Sequence, residues 1–275
     1  MDISKGGLIG KTTFYFRRLR DMQIPTHAAN AGYFIVLSVF PALVLILSVL
    51  RYTSLDTRDL MKLLEGFLPE ALLPSAERFV ISTYAHTSTA VVSVSAVGAL
   101  WSASRGVYGL LTGLNTIYGL REDRGYLYTR LMSLFYTLLF VAVLVLTLVL
   151  NLFGETLVQT LSYTDSPVAR FFSEIVDLRF LLMLLLQTGL FTAMFMGLPN
   201  RKNSFRESLP GAVLASLGWL GFTVLFSWYV VSFSGYSSVY GSVYAVALSM
   251  LWLYFVLSII FYGGALNKLL MDQPD

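Results

Sequence analysis

Residues 208–267 read SLPGAVLASLGWLGFTVLFSWYVVSFSGYSSVYGSVYAVALSMLWLYFVLSIIFYGGALN, sixty consecutive residues without Lys, Arg, Asp or Glu. A helix needs about 20 predominantly apolar residues to cross the hydrocarbon of a bilayer. The stretch is therefore long enough for two crossings, joined by a turn near its hydroxyl-rich middle. It predicts a helical hairpin inside a membrane.

Further uncharged blocks lie upstream, at residues 28–50, 131–154 and 180–200. A fourth block, around residues 86–108, carries Arg105 as its only charged side chain. Together with the hairpin, these blocks predict six transmembrane helices, at about 28–50, 86–108, 130–153, 177–198, 208–232 and 240–266.

Composition supports this interpretation, because only 13% of the 275 residues are charged and 56% are hydrophobic. Long apolar blocks without strict alternation exclude a transmembrane β-barrel. We therefore predict an all-α, polytopic membrane protein that forms a single integral membrane domain over residues 1–275. Short amphipathic interfacial helices complete it, in a basic cytoplasmic segment at about 1–27 and an extracytoplasmic helical segment at 51–85.

The distribution of Lys and Arg predicts the orientation, since cytoplasmic loops carry an excess of both residues. Thirteen of them fall on the side of the two termini and six on the other side. We therefore expect a multi-pass protein of the cell (cytoplasmic) membrane with both termini in the cytoplasm and the first helix retained. Its basic residues would face anionic lipid, so membrane lipids are the expected partners and nucleic acid is not.

Arg105 is the first candidate for a functional residue, because a guanidinium stays charged and is costly in hydrocarbon. Its neighbours at helical spacing form a polar face of the predicted second helix. We predict that these residues bind a substrate: Trp101, Arg105, Tyr108 and Asn115. Helix cross-linking by the same residues is the structural alternative. A helix over residues 86–118 would be roughly 50 Å long, which places Arg105 in the cytoplasmic half.

Other candidates are a predicted kink in helix 1, close packing on helix 2 and the turn of the final hairpin. Pro41 should kink helix 1, with Asn30 on roughly the same face as a further substrate contact. Small residues such as Gly109 and Gly113 let neighbouring helices approach closely. In the final hairpin we single out Tyr236 and Tyr240 as substrate contacts and Gly241 as a hinge or packing position. Anchoring of tyrosines at the interface explains the same pattern without a ligand.

Catalysis finds little support in the sequence. The chain has no cysteine, which excludes thiolate chemistry, and its two histidines, His27 and His86, fall on opposite predicted membrane faces. The predicted membrane helices lack the paired carboxylates that hold a metal for hydrolysis. We therefore predict no catalytic residues, no metal site and no cofactor, and the oligomeric state stays open, a homo-oligomer included.

Several short motifs follow one another along residues 10–270: SVFP (38–41), WSASR (101–105), LN (114–115) with Tyr118, PGA (210–212), FSWY (226–229), Tyr236 with YGS (240–242) and LWLY (251–254). Their order and spacing together resemble the YihY/BrkB family of bacterial membrane proteins, once labelled ribonuclease BN. The resemblance implies six transmembrane helices. It also implies that the protein is a candidate for the transport of lipids or other amphiphiles. The family often has Asn where this chain has Ser237, and Gly-Ala-Glu-Leu-Asn where this chain has GGALN at 263–267. The missing carboxylate weakens a role in proton coupling.

The leading functional hypothesis is a transporter or flippase-like protein for an amphiphile with an anionic headgroup, which Arg105 would attract by charge-assisted hydrogen bonds. A non-transporting membrane scaffold or accessory protein is the alternative, and a channel is the third hypothesis. Nuclease activity is not expected.

Overall fold

The computed structural model of the protein describes residues 17–50, 77, 80–82, 88–162, 179–232 and 237–272. Three sets of predictions lie outside these residues. They concern residues 1–16 of the basic segment, nearly all of the 51–85 segment, and Tyr236. Within them every long element is an α-helix and there is no strand. The predicted all-α fold is confirmed.

Six long helices follow one another along the described chain. Most of them are longer than the predicted membrane segments, because helices continue beyond the hydrocarbon wherever polar caps and loops allow. The second helix runs ten residues past the predicted end at 108. The helices are α1 (Ile24–Leu50), α2 (Thr89–Tyr118), α3 (Tyr126–Ser162), α4 (Arg179–Gly197), α5 (Phe205–Ser232) and α6 (Ser237–Met271).

Four of these helices are long and apolar enough within the described residues to cross a membrane: α2, α3, α5 and α6. In α4 the apolar part, Leu181–Gly197, is shorter. These helices are consistent with a multi-pass membrane protein, and the count of six crossings stays a prediction for α1 and α4.

Local sequence explains where α2 and α5 begin and where α2 ends. Ser88 caps α2, with its side-chain oxygen accepting from the Val91 amide at 3.3 Å. Gly119 ends the helix at φ +70°, a conformation that glycine adopts without steric cost. Ser204 and Glu207 form a reciprocal capping box at the start of α5.

The buried core lies where α2 meets α1, α4 and α6. Its largest fully buried side chains include Leu111 and Leu114 of α2, Phe191 and Phe195 of α4, and Phe261 of α6. Large apolar side chains also cover the outside of the bundle, since Val94, Leu127, Val224 and Trp228 are each about 70% exposed. This exposure is typical of a surface that faces lipid.

Glycines on α2 allow its close approach to α1 and α6. A Cβ atom at Gly109 would lie 3.0 Å from the Cα of Ala31, and one at Gly113 would overlap the ring of Phe261. Gly98 lies against Pro41, whose ring is inside α1. Close backbone packing of this kind is how membrane helices associate without a hydrophobic driving force between them.

Candidate functional site

Arg105 lies on α2 with its side chain exposed. Its guanidinium carbon is 5.5 Å from the centre of the Phe34 ring on α1, a weak cation–π contact. Trp101, one helical turn away, is 47% exposed. The two residues therefore form an open, amphipathic face on a helix apolar enough to span a membrane.

Arg130 of α3 reaches this face from the neighbouring helix. Its guanidinium carbon lies 3.8 Å from the centre of the Trp101 ring, and its Nη2 donates to the Trp101 carbonyl at 2.8 Å. The residue is only 5% exposed, and its Nε is buried without a hydrogen-bond partner among the described residues. Arg105 follows Trp101 by one helical turn of α2, so both arginines lie beside Trp101. We call Arg105 and Arg130 the arginine pair.

No carboxylate neutralises the arginine pair within the part of the chain that the structure describes. Arginines in apolar surroundings ordinarily have a counter-ion, because an unpaired charge is costly there. The pair therefore offers two positive charges and unfilled N–H donors beside an exposed tryptophan, which is a setting that suits an anion.

Asn115, the last predicted residue on this helix face, lies elsewhere in the structure. It is 4% exposed; its Nδ2 donates to Glu122 at 2.8 Å and its Oδ1 accepts from the Asn200 amide at 2.7 Å. Arg124 binds both oxygens of Glu122 and donates to the Leu198 carbonyl at 2.8 Å. We call Asn115, Glu122, Arg124 and Asn200 the loop junction, because they fasten the α2–α3 loop to the α4–α5 loop.

Hydrogen bonds and opposite charges in the loop junction stabilise the ionised forms of Glu122 and Arg124. Hydrogen bonds from Arg124 are the largest cause that lowers the pKa of Glu122, and the hydrogen bond from Asn115 acts in the same direction. The same interaction with Glu122 raises the pKa of Arg124. The ion pair is partly shielded, with the Arg124 and Glu122 side chains 16% and 20% exposed. It therefore persists at neutral pH.

Asn267 of α6 forms a second buried polar contact that the sequence analysis did not single out as a site. Pro210 inside α5 lacks an amide donor and disturbs the helical bonding of its turn. Asn267 is fully buried there; its Oδ1 accepts from the Gly211 amide at 2.7 Å and its Nδ2 donates to the Ser208 carbonyl at 3.1 Å. The side chain thus supplies polar partners where α5 and α6 cross.

The remaining predicted site residues are dispersed. Tyr108 is half-buried against the core, and Asn30 is exposed on α1. Tyr240 and Gly241 belong to α6, and their side-chain surroundings fall outside the description. The structure thus places Trp101 and Arg105 with Arg130, while their binding roles stay predictions.

Two cavities lie near these features. One, of about 340 Å³, opens at the start of α5 and the end of α6; it is lined by two cations, Arg201 and Arg206, and two anions, Glu207 and Asp272. The other, of about 110 Å³, lies between α3, α4 and α5 and is mostly apolar, with Gln187 and Trp219 in its wall. The balanced charges of the first cavity give it no preference for an anion, unlike the arginine pair.

A family model described as virulence factor BrkB matches residues 15–274. The chain belongs to the BrkB family. It is 32% identical over 251 residues to the ribonuclease-like protein YfkH of Bacillus subtilis (strain 168), a match that covers 90% of this chain and 91% of YfkH.

Two UPF0761 membrane proteins are also similar. The one from Aggregatibacter aphrophilus is 23% identical over 269 residues, 94% of this chain and 91% of that protein. The one from Rhodospirillum centenum is 28% identical over 196 residues, 71% of this chain and 41% of that protein. No solved structure matches the chain.

The family match confirms the resemblance found in the sequence motifs of this BrkB-family protein. Its relatives are named as membrane proteins, in agreement with the apolar helices. The ribonuclease-like name belongs to YfkH. Within the described residues of the present chain, no group of three or more His, Cys, Asp or Glu side chains could hold a metal ion.

Proposed function

We propose that this BrkB-family protein moves a lipid or another amphiphile with an anionic headgroup across the cell membrane, as a transporter or flippase does. Both termini are placed in the cytoplasm in this proposal, and membrane lipid is the partner. The positive-inside distribution of Lys and Arg supports this orientation.

One observation carries the proposal: Arg105 is exposed on a helix that can span a membrane, without a carboxylate partner among the described residues. Leaving such a charge in hydrocarbon costs roughly 2.5–3.5 kcal/mol on insertion scales. An anionic headgroup would remove this cost by charge-assisted hydrogen bonds. The exposed Trp101 ring beside it suits the boundary between headgroup and acyl chain.

The test is reconstitution of the purified protein in liposomes with fluorescent phospholipids and a fluorescent polyprenyl phosphate, followed by measurement of their movement between leaflets. We expect movement above that in empty liposomes. Arg105→Gln should reduce it at least about ten-fold, since it removes one charge-assisted contact. Absence of movement across the whole panel would overturn the proposal.

Arg121→Gln is the matched control, because it also removes one exposed arginine but lies in the α2–α3 loop, away from the arginine pair. It should leave transport unchanged. Size-exclusion profiles and melting temperatures establish that each variant is folded. A folded Arg105→Gln protein with undiminished transport would contradict the role of Arg105.

A scaffold function is the second candidate, and the loop junction favours it. Asn115 has both polar side-chain atoms bound within the protein, so one of the predicted site residues acts as a structural connector. If Arg105→Gln lowers the melting temperature substantially and the loss of transport accompanies this loss of stability, the helix-linking interpretation of Arg105 is favoured.

A further inference from the structure

We infer that Arg105 and Arg130 together form a single headgroup site that prefers a doubly charged phosphomonoester to a singly charged phosphodiester. The inference rests on the proposed function and deepens it, because it adds Arg130 and names the substrate class.

Arg130 is held in place for binding before any ligand arrives. The Trp101 ring lies against one face of its guanidinium at 3.8 Å, and the Trp101 carbonyl fixes Nη2 at 2.8 Å. Arginine has five N–H donors in a rigid fork that matches phosphate oxygens. The Arg130 Nε is buried without a hydrogen-bond partner among the described residues, so one of its donors is unsatisfied before a ligand binds.

Arg105 presents the second charge from the same face of α2. It is four residues from Trp101, so both side chains project from one side of the helix. Its contact with the Phe34 ring leaves the N–H donors of its exposed side chain available. One guanidinium is thus fixed and nearly buried, and the other is exposed and adaptable.

Charge balance decides the headgroup class. Two neighbouring cations with no carboxylate among the described residues repel each other, and the repulsion is stronger at low dielectric than in water. A phosphodiester carries one negative charge and leaves one cation uncompensated. A phosphomonoester approaches two negative charges above its second pKa of about 6, and it has three acceptor oxygens for two guanidinium forks.

Phosphatidic acid and phosphatidylglycerol with identical acyl chains are a matched pair of probes. Binding of each to the purified full chain in detergent is measured by native mass spectrometry, with phosphatidylcholine as the zwitterionic reference. At pH 8 we expect phosphatidic acid to bind about ten-fold more tightly than phosphatidylglycerol, the gain from one further charge-assisted contact.

The preference should fall several-fold at pH 5, where the phosphomonoester has lost most of its second charge. Among the described residues, the titratable groups whose charges act on Arg130 are Arg105 on α2 and Tyr126 on α3. Arginine and tyrosine side chains do not titrate between pH 5 and 8. The change of the binding preference with pH therefore reports the ionisation of the phosphomonoester.

Arg130→Gln and Arg105→Gln should each abolish most of the preference. Arg105 is exposed, so its variant keeps the test decisive if the nearly buried Arg130 cannot be replaced without unfolding. Arg206→Gln, at an exposed arginine of α5, is the control and should leave the preference intact. A purely structural Arg130 would weaken binding of both lipids equally and leave their ratio unchanged.

Equal binding of the two lipids by the natural protein at pH 8 would overturn the inference. The inference would also be overturned if folded Arg105→Gln and Arg130→Gln proteins both kept the natural ratio of phosphatidic acid binding to phosphatidylglycerol binding. If the preference is found but no lipid moves in liposomes, the proposed transport fails and the site stands. If lipids move without the preference, only the present inference fails.

Discussion

Gly211 is the position where a single methyl group has the clearest predicted effect. A Cβ atom there would meet the backbone carbonyl of Gly263 on α6 and come within 2.6 Å of the Asn267 side chain. Since backbone cannot move aside as a flexible side chain can, the two helices must separate. Gly211→Ala should destabilise the protein by about 1–3 kcal/mol, the usual cost of overpacking, and lower its melting temperature in detergent.

Gly221→Ala, in the same helix, is the matched control. A Cβ atom at Gly221 would meet no atom of the described residues within 4 Å. Alanine favours helix over glycine by about 1 kcal/mol, so this variant should melt at the same or a higher temperature. If both variants melt alike, close α5–α6 packing at Gly211 does not contribute to stability.

Residue-level prediction from the sequence succeeded where the signal was local. Helical spacing predicts Trp101 and Arg105 on one face, and in the structure both are exposed on α2, one helical turn apart. The sequence did not indicate Arg130 as a site residue, because its contact with Trp101 joins residues 29 positions apart. Such a contact depends on the rotation of α3 against α2. Asn267 was missed as a partner of Gly211, 56 positions away, for the same reason.

At the scale of elements, the loop junction makes the two loops a pH-sensitive unit. The folded state lowers the pKa of Glu122, chiefly through hydrogen bonds from Arg124. A lowered pKa means that the contribution to stability is present above the ordinary value of 4.5 and is lost as the pH falls below it. Glu122→Gln should therefore lower the free energy of unfolding at pH 7 by about 1–3 kcal/mol, with a smaller difference at pH 4 and below.

Melting temperatures in detergent from pH 7 to pH 3 measure this effect. Asp21→Asn is the control, since Asp21 is an exposed carboxylate outside the loop junction. It should shift the melting temperature little at any pH. The melting temperature of Glu122→Gln could instead stay below that of the natural protein by the same amount down to pH 3. That result would show that ionisation of Glu122 does not stabilise the junction.

Most helices could be placed from the sequence, because uncharged blocks of about 20 residues have few alternatives. The ends were harder to place. α2 continues to Tyr118 and stops only at Gly119, since core residues such as Leu111 and Leu114 bury this part against other helices. The predicted start of α5 at residue 208 lies inside the helix, which begins at Phe205 after the capping box of Ser204 and Glu207. The loop junction was not predicted, because it connects distant parts of the chain through Asn115 and Asn200.

At the scale of the whole molecule, the number of crossings depends on α1 and α4, the two long helices that do not meet the length and composition criterion within the described residues. Six crossings require the two ends of each to lie on opposite sides of the membrane. The chain has no cysteine, so one introduced cysteine is a unique label. We expect Arg20→Cys and Lys202→Cys to lie inside the cell, and Ser88→Cys and Ser166→Cys to lie outside.

Labelling of intact cells with a membrane-impermeant maleimide tests this arrangement, followed by labelling after permeabilisation. Ser88 precedes α2 and is exposed, whereas Ser166 lies in the 163–178 segment outside the described residues. The Ser88 and Ser166 variants should react in intact cells, and the Arg20 and Lys202 variants only after permeabilisation. If Ser88→Cys shares the side of Arg20→Cys, α1 does not cross. If Ser166→Cys shares the side of Lys202→Cys, α4 does not cross. Either result would reduce the bundle below six crossings and require a new position for the arginine pair relative to the cytoplasmic leaflet.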